Sequence, residues 1–164
     1  MIELLKGLLV NIFVSATPVT AVAAQLKGGR VRSCIDKVEV TAGALATSTY
    51  TLGRLPMNAI LMLASSIRID DLASSGAPLL DVGLSPVGGN FPVNATALSA
   101  STITGATAGA YDLVLDIDNA GKQLWEILGL ATNPGGEADV LVTITDAACN
   151  TGGTIVSETL YSVD

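Results

Sequence analysis

Side chains able to do chemistry are few in this chain, and the patterns in which they stand are broken ones. Asp70-Asp71 could serve as a carboxylate pair for acid–base work or for a divalent cation. Adjacent residues on an extended chain point to opposite faces, however, and do not converge on one substrate. The pair reads better as a turn in which one Asp bonds backbone amides. Asp116-Ile117-Asp118-Asn119-Ala120-Gly121 starts like a calcium loop, but Ala120 stands at a ligand position and Ile127 where the loop needs Glu. A strand end turning into a helix accounts for it better. The glycine pairs 28–29, 88–89, 135–136 and 152–153 lack the Lys-Ser/Thr of a phosphate loop and read as turns. Trp125 could stack on a sugar, yet its place beside Leu124 and Leu128 favours a plug in the core.

The chain has no histidine, which removes the usual general base of Ser and Cys nucleophile systems and the commonest zinc ligand. Cys34 and Cys149 are too few for a disulfide scaffold and have no metal-ligand spacing. A bridge between them requires the first and last strands to be neighbours; two free, largely buried thiols are expected. No catalytic, cofactor-binding or metal-binding set emerges, so an enzyme is the least expected class. No cofactor and no small-molecule substrate are implied.

The elements around these residues read as strands. In Ser48 to Arg54, Tyr50 and Leu52 share one face while Thr49, Thr51 and Gly53 share the other. Ala59 to Ala64 is a continuous apolar run, suited to a strand buried on both faces. Ile67 and Ile69 alternate with Ser66 and Arg68; 74–78 is a loop; Leu80, Val82 and Leu84 oppose Asp81. These close-set strands leave no room for a crossover helix, which predicts antiparallel pairing. Upstream, Val31, Ser33 and Ile35 are out of step with Val38 and Val40, and a bulge near Asp36-Lys37 would restore the pattern. Residues 85–109, rich in Gly, Pro, Ala, Ser and Thr, predict a long functional loop. Tyr111 to Asp118 is the cleanest strand by alternation, and 119–130 predicts one short helix ended by Gly129. Residues 133–136 form a turn, and strands follow over 139–144 and 154–161. About eight strands at this spacing predict an all-β antiparallel sandwich with one short helix.

Composition says how such a domain is used. Of 164 residues, 49% are hydrophobic, 14% charged and only 4% aromatic, so the apolar content is aliphatic. Mean hydropathy is +0.56. That is greasy for a lone soluble domain and implies apolar surface buried on copies of itself or on a larger assembly. Net charge is −7, which argues against nucleic acid as a partner. The charge is uneven: through Arg68 there are seven cations against three acids, 7 − 3 = +4, and afterwards one against twelve, 1 − 12 = −11.

Residues 1–28 read as an N-terminal arm and 29–164 as the sandwich domain. As a secretory signal the arm is spoiled by Glu3 and by the late Pro18. As a pilin-like stalk it is broken by Asn11 and Pro18, short of the roughly 20 apolar residues a membrane span needs. No membrane partner is expected. An extended or partly helical arm packing on a neighbour fits best, with Leu4, Leu5, Leu8, Leu9, Ile12, Phe13, Lys27, Arg30 and Arg32 as candidate shell or subunit contacts.

Several segments resemble a family of tailed-phage capsid decoration (cement) proteins: Tyr50-Thr51-Leu52-Gly53-Arg54-Leu55-Pro56, Asp70-Asp71-Leu72, Leu80-Asp81-Val82-Gly83-Leu84, Leu124-Trp125-Glu126-Ile127-Leu128-Gly129 and 153–161. The resemblance runs from Arg30 onward. It implies a jelly-roll-like sandwich bound to the outside of an icosahedral shell. The partners it implies are the major capsid protein and copies of itself, as a homotrimer, within a virion assembled in the host cytoplasm. The competing expectation is an extracellular fibre, pilin-like or adhesin subunit that polymerises through the same apolar N-terminus. A carbohydrate-binding sandwich would need more exposed aromatic rings than one Trp and three Tyr supply.

Overall fold

The computed structural model describes residues 30–113 and 116–163. The strands are β1 (Val31–Val40), β2 (Thr49–Pro56), β3 (Ile60–Leu61), β4 (Ser66–Ile69), β5 (Leu79–Pro86), β6 (Asn94–Thr104), β7 (Gly109–Asp112), β8 (Glu137–Thr145) and β9 (Gly153–Ser162). Between β7 and β8 lie a 3-10 turn, Ile117–Asn119, and one short helix, α1 (Leu124–Ile127).

One sheet has the order β1-β9-β4-β7, with β3 also on β9; the other has β2-β8-β5-β6. All pairings are antiparallel. With the two-residue β3 set aside, the pairs are nested. First pairs with last (β1 with β9), then β2 with β8, β4 with β7 and β5 with β6. A long antiparallel ribbon wrapped once around itself gives this nesting, and the wrap brings β4 beside β9 and β5 beside β8. The molecule is therefore an all-β jelly-roll sandwich.

The core lies between the sheets. Leu52, Leu80, Val82, Leu84, Val140, Val142 and Ile144 project from one, and Val40, Ile67, Ile69 and Ile155 from the other, all buried. Each such side chain contributes about 1.5–3 kcal/mol on leaving water. The alternation expected in β4 is present; in β5 and β8 the expected residues do face the core, but Asp81, Gly83 and Leu141 between them are buried as well. The loop at 74–78 is present, as is the turn at 133–136, where Asn133 accepts from Gly135 N–H at 2.8 Å, while Gly153 of the 152–153 pair opens β9. α1 closes one end: buried Leu124 anchors it, and its Leu124 N–H donates to the Ala59 carbonyl at 2.9 Å. Gln123 N–H donates to the Glu126 carboxylate at 2.7 Å at its start, and Gly129, at φ 69°, ends it as expected.

Five expectations fail in instructive ways. None of β2, β4 and β5 pairs with another of the three, because each finds its partner far along the chain. The Ala59–Ala64 run is not one buried strand: only Ile60 and Leu61 pair, and Leu63 is 50% exposed. The chain turns instead at 62–65, where the Ser65 hydroxyl both accepts from Leu160 N–H and donates to the Leu160 carbonyl, each at 3.0 Å. β1 runs without any register shift against β9, so no bulge forms at Asp36-Lys37. Cys34, Val38 and Val40 turn inward, and Val31 and Ile35 face out; the irregularity sits in β2, between Leu52 and Arg54. The region 85–109 is not a long loop, since β6 occupies 94–104 and pairs with β5 at Asn94, Ser99, Ile103 and Thr104. Finally, among the described residues of the strand expected over 111–118, Tyr111 and Asp112 end β7, and Ile117, 71% exposed, belongs to the 3-10 turn.

Candidate functional site

The outer face of the five-stranded sheet can be read from the register, because directly paired residues share a side. Ile67, Ile69 and Ile155 point into the core, so their chain neighbours point out. Ile35 stands opposite Glu158, and Glu158 opposite Ser66. One rung along, Lys37, Val156 and Arg68 lie abreast, and on the other side Ser33 faces Leu160. Val31 and Ile35 are 57% and 65% exposed, so this face carries bare aliphatic groups between isolated charges of both signs.

Charge divides the molecule accordingly. The five-stranded sheet with Arg30 holds Arg30, Arg32, Lys37 and Arg68 against Asp36, Glu39, Asp112 and Glu158, or 4 − 4 = 0. The other described residues hold Arg54 and Lys122 against nine acids (Asp70, Asp71, Asp81, Asp116, Asp118, Glu126, Glu137, Asp139 and Asp146), or 2 − 9 = −7. Arg54 is already engaged: its guanidinium grips Asp139 in two bonds of 2.7 and 3.1 Å, with Glu137 at 4.0 Å. That hydrogen bonding raises the guanidinium pKa further above its ordinary value. The five-stranded sheet is thus neutral as a whole, its outer face carrying Lys37 and Arg68 against Glu39, Asp112 and Glu158 among exposed aliphatic groups, while the rest of the described chain is strongly acidic. The sequence halves hid this split, because strands from both halves interleave in each sheet.

The remaining candidates do not converge. Asp70 accepts from Asp71 N–H at 2.9 Å and Asp71 from Ala73 N–H at 3.2 Å, the turn that was expected. Asp116 caps the 3-10 turn by accepting from Asp118 N–H at 2.9 Å. No group of three or more His, Cys, Asp or Glu side chains is placed to hold a metal among the described residues. Trp125 packs against the core, with its indole N–H bonded to Gln123 at 2.7 Å. First and last strands do neighbour, yet Cys34 faces Thr159 across β1 and β9, and both thiols are free. Cys149 is fully buried, Cys34 half-buried. Burial pushes the Cys149 thiol up, and burial followed by the Cys149 charge pushes the Tyr50 phenol up.

Of the expected contact residues, Arg30 and Arg32 are exposed at and beside the start of β1. Leu4, Leu5, Leu8, Leu9, Ile12, Phe13 and Lys27, with the arm they belong to, lie outside the described residues. Sequence reasoning missed Val31 and Ile35 as outward groups. Their alternation was visible, but alternation does not say which face is wet.

No family model matches the sequence, and no curated protein matches it. Among solved structures, a chain of the capsid of Ralstonia phage GP4 is similar at 25% identity, covering 83% of this chain and 86% of that one with a TM-score of 0.63. A chain of the cyanophage Pam1 capsid asymmetric unit is similar in fold at 17% identity, covering 88% and 93%, with a TM-score of 0.55. The structural neighbours are therefore phage capsid chains, and this jelly roll is capsid-related in fold.

Proposed function

We propose that the chain is a structural virion protein that decorates the outer surface of an icosahedral phage head and stabilises the shell. The observation that carries this reading is the similarity over more than four fifths of the chain to a phage capsid chain, at 25% identity. The surface is consistent with it. A decoration protein needs a face that leaves water on the shell and a remainder that stays soluble, and the sparsely charged, partly aliphatic outer face and the acidic remainder divide the molecule in that way.

The partly aliphatic outer face of the five-stranded sheet, with Val31 and Ile35, sits against the shell protein or an adjoining copy. The arm from Met1 to Lys27 fastens one subunit to its neighbour, and copies group as trimers on threefold positions. Each contact is small. Burying apolar area contributes about 25 cal/mol per Å², and the lattice sums the increments over many copies. No catalytic step is part of this role.

The test is removal and return. Heads of the phage that encodes the chain, made without it, assemble with their full shell and burst at lower temperature or ionic strength. Purified protein added back restores their resistance. Failure of shells to form at all would instead make the chain a building block of the lattice, and unchanged resistance would remove the cement role.

A further inference from the structure

β1 is an edge strand, and the hydrogen bonds of its neighbour tell which of its backbone groups face away from the sheet. On β9, the Leu160 carbonyl accepts from Met62 N–H at 2.8 Å, Leu160 N–H donates to the Ser65 hydroxyl at 3.0 Å, and the Thr154 carbonyl accepts from Asp70 N–H at 2.9 Å. These even-numbered groups point away from β1. The odd-numbered groups of β9 therefore point toward it, where they meet Arg32, Cys34, Asp36 and Val38. It follows that the N–H and C=O groups of Val31, Ser33, Ile35 and Lys37 project from the far edge of β1, with which no strand pairs among the described residues. Lys37 N–H is already claimed: it donates to one oxygen of the Asp36 carboxylate at 2.8 Å, while the other accepts from Gly53 N–H of β2 at 2.9 Å. The open edge is thus Val31 to Ile35, with two exposed aliphatic side chains and no proline or bulge to blunt it.

The occupant this edge fits is the same edge of a second copy. Two identical strands meeting antiparallel are related by a two-fold axis, so each register is named by the residue on that axis. The even-numbered groups of each strand are engaged by its own β9, so bonds across the axis join odd residues to odd ones only. Centred on Val31 or on Ile35, only the central residue meets an open partner. Centred on Arg32, two guanidinium groups stand opposite one another and Ile35 has no open partner. Centred on Cys34, Val31 falls opposite Lys37, whose N–H is claimed. Centred on Ser33, every open residue meets an open residue: Ser33 faces Ser33, and Val31 faces Ile35 on either side. That register also sets the exposed aliphatic side chains of Val31 and Ile35 side by side, and Arg30 opposite Asp36 at each end.

We propose that two copies of this chain pair through β1, antiparallel around a two-fold axis at Ser33, and so join their five-stranded sheets into one. Each chain offers one such edge, so the contact closes at two copies and links trimers instead of forming them. The inference stands on the open groups and charges of β1, and it holds or fails independently of the decoration role.

The test is disulfide formation between copies of the full chain carrying Cys34→Ser, with Cys149 left buried. Ser33→Cys places its thiol on the axis, at the Cα separation of about 5.5 Å that suits a disulfide. Arg32→Cys lies two residues along the strand from its counterpart, about 8 Å away, and Ile35→Cys four residues, about 14 Å away, both beyond the reach of a bridge. All three positions are exposed, so the core is untouched. The variants are oxidised singly at equal concentration in a glutathione buffer. The expected result is a covalent dimer of Ser33→Cys forming at least about tenfold faster than that of Arg32→Cys or Ile35→Cys. Faster linking at Arg32→Cys or Ile35→Cys would put the axis elsewhere, and equal rates would mean random collision. Absent linking would mean that no second copy lies along this edge. Each of these overturns the proposal.

Discussion

The backbone N–H of Gly53 donates to the Asp36 carboxylate at 2.9 Å, joining an edge strand of one sheet to an edge strand of the other. Gly53 has φ 56° at the irregularity in β2, and a Cβ there would stand 3.2 Å from the Cys34 sulfur. Gly53→Ala therefore loses about 1–2 kcal/mol from the left-handed backbone alone. Asp36→Ala loses about 1 kcal/mol, while Asp36→Asn, which keeps an acceptor, stays close to the parent. Urea midpoints of the three variants check this, with denaturant slopes unchanged.

Gly83 is a harsher case. It lies in β5, and a Cβ at that position would overlap the backbone of Asn94 and Ala95, where β6 begins. Backbone cannot swing aside as a side chain can, so β6 must leave β5 or bend. Gly83→Ala is expected to cost about 3 kcal/mol or more, at the upper end of overpacking effects. Thermal unfolding of the purified variant, or its absence from the soluble fraction, is the measurement.

Those two glycines show where reading the chain works and where it stops. The alternation of Val140, Val142 and Ile144, the cap at Gly129 and the all-β class follow from local rules, and the structure has them. Pairing does not follow from local rules. β1 meets β9 only because the whole ribbon wraps, and nothing near Cys34 indicates Thr159 as its neighbour. β6 was hidden because Ala, Ser and Thr make a strand there only by lying against β5. The aliphatic face at Val31 and Ile35 was half legible: its period was plain, but its direction depended on Cys34, Val38 and Val40 turning inward.

Two buried hydroxyls, Ser157 Oγ and Thr143 Oγ1, have no hydrogen-bond partner. An unmade buried hydrogen bond costs stability, and removing the group recovers it. Ser157→Ala and Thr143→Val are each expected to be neutral or stabilising by about 0.5–1 kcal/mol. Chemical denaturation resolves this. A loss above that magnitude would mean the hydroxyls are engaged.

Alkaline pH weakens the fold. The Cys149 thiol is raised by burial, and the Tyr50 phenol by burial and then by the Cys149 charge. As pH rises, the unfolded chain releases these protons first, so the folded state holds more of them and its stability falls. Stability is expected to be flat below the ordinary thiol pKa of about 8.5 and to decline above it, through the phenol range near 10. Urea midpoints from pH 7 to 10 test the sign, and Cys149→Ala makes the decline shallower. A thiol reagent at pH 8 labels half-buried Cys34 before Cys149, which reacts only as the fold opens.

The account rests on one face of a jelly roll leaving water on a phage head. Electron cryomicroscopy of intact virions of the phage that encodes this chain measures that directly. The predicted result is a jelly roll outside the continuous shell, with the outer face of the β1-β9-β4-β7 sheet, at Val31 and Ile35, against the shell protein or an adjoining copy and the acidic side toward solvent. Finding this chain within the continuous shell itself, or absent from the particle, would contradict it.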